Sequence, residues 1–217
     1  MSENHLIKAG EHVPRIAAEK GFADWKTIWE DGKNRGLKAK QRTPCILNPG
    51  DSLFIPDKKD KNVGKSTGAT HQFKLPANPL KLRLTLKTEG DDPLKSVPYQ
   101  LKSGEFATGN STDGAGKVDV PIPAKTEKID MTLDSINASL VLKVGYLVPL
   151  TERAGVMQRL NNLGYHAGVV AAVGPMEQKQ EYQLRSAVEE FQCDHSLTVD
   201  GKINSKLQDK LKEVYGC

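Results

Sequence analysis

The chain has 217 residues, 37% hydrophobic and 27% charged, which is enough apolar content for folded domains rather than a disordered polymer. Its net charge of +4 comes from interspersed acids and bases, which excludes the concentrated basic surface of a nucleic-acid binder. No apolar run reaches the length of a bilayer span, so membrane insertion is not expected. The opening Met1-Ser-Glu-Asn-His5 lacks a basic and then apolar leader. Synthesis in the cytoplasm without a secretory signal is therefore expected.

From the start, Leu6-Ile7 predicts a short strand that turns at Gly10. Pro14 suits the first turn of a helix, where its missing N–H costs nothing. Ile16 and Ala17 face inward on that helix, and Gly21 ends it. Asp24 caps a second helix bearing Trp25, Ile28 and Trp29. The two tryptophans stand four apart on one face and read as core rather than as a sugar-stacking platform. A basic loop, Lys33–Cys45, follows, and Leu53-Phe54-Ile55 gives a second strand before Pro56. The order is β-α-α-β.

The opening Lys8-Ala-Gly10-Glu11, the pair Ile16-Ala17 and the closing Leu47-Asn-Pro49-Gly50-Asp51-Ser-Leu53-Phe54-Ile55-Pro56 resemble the lysin-motif (LysM) family over residues 1–57. The resemblance implies a shallow groove for N-acetylglucosamine units of peptidoglycan or chitin. Gly10, Glu11, His12 and Val13 would line one wall, and Leu47, Asn48, Pro49, Gly50 and Asp51 the other. Two departures stand out: the long basic loop, and His12 where the family has a small hydroxyl residue. His12 itself reads as an exposed turn histidine, with a hydrogen bond to an acetamido group from the groove rim as the alternative.

Residues 58–71 are rich in Lys, Asp, Ser and Gly and read as a solvated linker. In residues 72–149 the pattern changes to period two. Leu80, Leu82, Leu84 and Leu86 alternate with polar residues, and so do Val118, Val120 and Ile122. Pro98–Leu101, Ile129–Leu133 and Leu140–Val144 add further strands, while residues 107–116 read as turn-rich around Asp113-Gly114. A small β-sandwich is expected.

Residues 150–217 carry three helical stripes: Val156, Leu160 and Leu163; then Leu184, Val188 and Phe191; then Leu207, Leu211 and Val214. A three-helix bundle is expected, which makes the whole a multidomain α+β chain. Gln158-Arg-Leu160-Asn-Asn-Leu163-Gly164-Tyr165, Phe191-Gln192 and Asp200-Gly201 resemble the peptidoglycan-binding three-helix family. The family's glycine-rich turn between helices is replaced by Val169–Gln183. Asn204 and Leu207 stand where a Gly and a Thr are expected, and Asn204 would serve there by its tolerance of a left-handed backbone.

Cys45, Cys193 and Cys217 are too few and too scattered for a disulfide framework or a zinc site, so no metal and no cofactor are expected. Reduced thiols are the default, with a conditional Cys193–Cys217 bridge as the alternative. His5, His12, His71, His166 and His195 form no helix-spaced zinc pair, and there is no nucleophile elbow. No catalytic residues are assigned and no enzyme activity is expected.

The junction from Tyr146-Leu-Val-Pro149 through Tyr165, with Glu190-Phe-Gln-Cys193-Asp-His195, resembles accessory proteins encoded beside type VI secretion spikes. That resemblance implies an adaptor that recruits a toxin or spike protein, engages peptidoglycan and leaves the cell by a specialised route. A simple binder of N-acetylglucosamine polymers and a cryptic wall hydrolase remain the alternatives at this point.

Overall fold

The computed structural model describes residues 2–59, 64–72, 80–170 and 177–216. Mixed α and β structure forms two compact units, Met1–Tyr146 and Leu147–Cys217.

The first unit opens with strand β1 (Glu3–Leu6), paired antiparallel with β2 (Ser52–Ile55) so that Glu3 faces Ile55 and Leu6 faces Ser52. Three short helices lie between them: α1 (Val13–Glu19), α2 (Lys26–Trp29) and α3 (Arg35–Ala39). Their apolar faces close one core of Ile7, Val13, Ile16, Ile28, Trp29, Leu37, Leu53 and Ile55, with Trp25 packed at its edge. Asn34, 1% exposed, fastens this core. Its amide donates to the carbonyls of Ile28 and Phe54 and accepts from the Phe54 N–H, each at 2.8 Å.

The stretch expected as a plain basic loop instead contains a 3₁₀ turn at Gly32–Asn34 and the helix α3. The reason is Leu37, which is 5% exposed and pulls that segment onto the core while its lysines stay in water.

The same unit continues with six strands in two antiparallel sheets. β3 (Leu80–Thr85) pairs with β6 (Lys117–Ile122). β4 (Pro98–Ser103), β5 (Phe106–Ser111), β7 (Lys128–Leu133) and β8 (Ala138–Lys143) form the order β5-β4-β7-β8. The two sheets share one core of Tyr99, Leu101, Val118, Ile122, Ile129, Met131 and Leu133, flanked by the leucines of β3. Residues 106–111, expected as turn, form a strand because β4 supplies ladder partners from Ser103↔Phe106 to Pro98↔Ser111. The tight turn of that hairpin is at Gly104, with φ +57°. Asp113-Gly114 does turn the chain, its carboxylate accepting from the Ala115 and Lys117 N–H groups at 2.8 Å. It joins strands of different sheets rather than a hairpin.

The second unit contains α4 (Arg153–Asn162), α5 (Gln178–Asp194) and α6 (Ser205–Tyr215). Val156, Leu160, Leu184, Val188, Phe191, Leu207 and Leu211 are buried in its core. Val214, expected inside, is 37% exposed at the last turn of α6. Among the described residues no helix is long and apolar enough to cross a membrane. The proposed bridge partner Cys217 lies outside the described residues; Cys193 is exposed on α5.

Candidate functional site

Two surfaces qualify, one in each unit. In the first unit, both walls of the expected groove gather at the end of β1. The Ile7 N–H donates to the Asp51 carbonyl at 2.9 Å, and the Gly50 N–H donates to the Ile7 carbonyl at 2.8 Å. The Val13 N–H reaches the Pro44 carbonyl at 2.8 Å. Asp51, 7% exposed, pins its own turn by accepting from the Asn48 N–H and from Arg42 Nε, both at 2.9 Å. Pro49 and Gly50 stand exposed at the tip.

The other wall is more enclosed. Gly10, His12 and Val13 are buried, and Glu11 is half-buried. Glu11 Oε2 accepts from the Lys8 N–H at 2.8 Å and lies 2.7 Å from His5 Nε2. Burial pushes the Glu11 carboxyl up, but the contacts with His5 and Lys8 outweigh it and leave the pKa below the usual carboxylate range.

His12 is not the exposed turn residue its position suggests. It is 1% exposed and caps α1, its Nδ1 accepting from the Arg15 N–H at 3.3 Å. Nε2 then carries the ring proton. It is the one buried side-chain polar atom without a hydrogen-bond partner among the described residues. Burial, reinforced by the charge of Arg15, depresses the imidazole pKa to about 4.

In the second unit, the motif residues have definite structural work. Gln192, 1% exposed, accepts from the N–H groups of Asp200 and Gly201, each at 3.0 Å, and donates to Asp200 Oδ1 at 2.9 Å. Asp200 in turn accepts from the Lys202 N–H at 3.0 Å. That N–H, together with Gln192, holds its carboxyl below the usual range. Gly201 suits its place by conformation: φ is +66°, a region that L side chains rarely adopt. Asn204 does not take the expected left-handed role. Its backbone is extended and its side chain caps α6, accepting from the Leu207 N–H at 3.0 Å. The buried Arg159 donates to the carbonyls of Val148 and Gly155 at 2.9 Å, and the neighbouring Gln158 accepts from the Val148 N–H. The Gln158-Arg159 pair thus secures the entry to α4.

This framework leaves a cleft of about 680 Å³. Thr151–Arg153 form one side, Gln178, Glu181, Tyr182 and Arg185 of α5 another, and Gly201–Ile203 with Gln208 the floor. Tyr182 is 65% exposed at its rim. Arg153 pairs with Glu181 across the mouth, and Arg185 pairs with Glu189 at 2.8 Å. The cleft therefore combines an aromatic side chain, amide groups and both charge signs. Sequence reasoning missed it, because Arg153, Tyr182 and Lys202 come from separate segments. An exposed tyrosine on the polar face of α5 was the available signal.

Residues 151–211 match the model of the peptidoglycan binding domain family. The matched segment contains the whole cleft lining and the Gln192–Asp200 lock. No curated protein and no solved structure matches the chain.

Proposed function

We propose that this chain is a non-catalytic peptidoglycan-binding adaptor. The observation that carries the reading is the family match over residues 151–211, a segment whose helices enclose a cleft rimmed by Tyr182. Tyr182 stacks on a saccharide ring, while Arg153, Arg185 and Lys202 face the carboxylates of the polymer's peptide stems. The LysM-like rim of the first unit is a second contact for N-acetylglucosamine units.

The finer role is accessory to a type VI-like secretion system, where the chain recruits a toxin or spike protein and is exported with it. The resemblance of Tyr146–Tyr165 and Glu190–His195 to such accessory proteins supports that role.

Co-sedimentation of the full chain with purified sacculi, followed by muropeptide analysis of the supernatant, tests the reading. Retention on sacculi without new fragments is expected. Lytic products would replace the adaptor by a hydrolase. Failure to sediment would remove the wall from the function. A lysate pull-down that returns no spike or toxin protein would remove the secretion role.

A further inference from the structure

At Gly10 and His12 the rim of the first unit is closed to solvent, and the chain itself covers it there. Gly145 and Tyr146 follow β8 and pass directly over Gly10 and His12. A Cβ on Gly145 would lie 2.5 Å from the Gly10 carbonyl oxygen and 2.8 Å from His12 Cδ2. A Cβ on Gly10 would lie 2.8 Å from Cζ of the Tyr146 ring. Both glycines have positive φ, +84° at Gly10 and +82° at Gly145; Gly145 lies against the Gly10 backbone, and the Tyr146 ring lies against Gly10.

A latch holds this approach. Arg15 of α1 pairs with Glu127 at 2.5 Å, and the Glu127 carbonyl accepts from the Val144 N–H at 2.8 Å. Glu127 thus ties α1 to the segment that forms the cover. The ion pair is half in water on the Glu127 side, where such pairs are weak.

The cover also carries a cost. Beneath it, the Nε2 proton of His12 has no acceptor among the described residues, in a place 1% exposed. A buried unpaired donor opposes the closed state, and it is relieved when the cover lifts and water or a ligand carbonyl reaches it. An acetamido carbonyl is such an acceptor.

We infer that Gly145–Tyr146 is a removable cover over the Gly10–His12 rim, which keeps the first unit shut against an N-acetylhexosamine oligomer until the segment is displaced. The inference rests on the proposed role of this rim as a second glycan contact. Wall binding through residues 151–211 is separate from it.

The test uses the full chain, with Gly145→Val to wedge the contact and Tyr146→Ala to remove the ring from Gly10. Amide hydrogen exchange at Gly10–His12 reads the cover, and titration with N-acetylglucosamine hexamer, which has no peptide stem, reads the rim. Exchange at these amides should rise at least tenfold in both variants, and hexamer affinity should rise at least tenfold with it. Unchanged exchange in both variants would show that the segment is not a cover. Faster exchange without a gain in hexamer affinity would show that what it covers is not a sugar site. Either result overturns the inference. Sacculus binding measured in parallel reads residues 151–211 on their own, so a failure of the cover and a failure of wall binding are told apart.

Discussion

The side chain of Gln192 and the carboxylate of Asp200 hold each other: Gln192 Oε1 accepts from the Asp200 N–H at 3.0 Å while its Nε2 donates to Asp200 Oδ1 at 2.9 Å. With the Gly201 N–H on the same oxygen, one buried amide organises the whole turn before α6. Gln192→Met keeps the volume but leaves two backbone donors unpaired. Each buried unpaired group costs ~1–3 kcal/mol, so the second unit should lose about 2–6 kcal/mol. Faster hydrogen exchange at the α5 amides, read against unchanged exchange at Trp29, would show it. A loss below about 0.5 kcal/mol would mean that water substitutes for the amide.

The first unit should weaken in acid through His12. Its imidazole titrates near 4 when folded, against an ordinary value of 6.5. Between those values the unfolded chain binds more protons than the native one, so stability falls as pH drops from 6.5 towards 4. The shift sets a ceiling of roughly 3 kcal/mol on the effect. His12→Asn keeps a capping side chain without the titration. Its melting temperature should change less over that window than the native chain's; equal slopes would assign the acid sensitivity elsewhere.

Arg42 and Asp51 form a pair in which both side chains are 7% exposed. Removing one partner of a buried pair takes the counter-charge from the other. Asp51→Ala should therefore cost about 3–5 kcal/mol, while the double change Arg42→Met with Asp51→Leu should recover most of that loss. Tryptophan fluorescence follows this unit in urea, because both tryptophans pack in or against its first core. A double variant as unstable as the single one would show that the lost counter-charge is not the source of the loss.

Tyr182 projects from the rim of the cleft and is largely exposed, so truncating it leaves the core intact. Tyr182→Ala should reduce retention on sacculi about tenfold, a hot-spot loss of ~1.4 kcal/mol, with an unchanged circular dichroism spectrum. Retention equal to that of the native chain would move the contact away from this cleft.

What the sequence disclosed followed period and local chemistry. The stripes Val156–Leu160, Leu184–Val188–Phe191 and Leu207–Leu211 form the buried faces of three helices, because a 3.6-residue repeat needs no distant information. The alternating leucines of β3 are equally plain. The strand over residues 106–111 is hidden, since Ala107-Thr-Gly109-Asn-Ser has turn composition and only pairing with β4 makes it extended. α3 is hidden by its basic residues, and one buried leucine decides it. His12 departs from expectation for the same kind of reason. It follows the turn residues Gly10 and Glu11 in sequence, but its cover comes from a segment more than 130 positions away, which no local pattern reveals. The cleft of the second unit is not legible, because three separated segments build it.

The single enclosed imidazole also gives the molecule an internal spectroscopic reporter. Five histidines occur in the sequence, and His12 is the only one buried among those described. With its pKa depressed to about 4, its ring resonance should stay fixed across the mildly acidic range, and it should begin to titrate there once Gly145 and Tyr146 lift away and water reaches the ring. One proton signal, followed as N-acetylglucosamine oligomers or wall fragments are added, would then report in real time on whether ligand lifts Gly145 and Tyr146 from the ring.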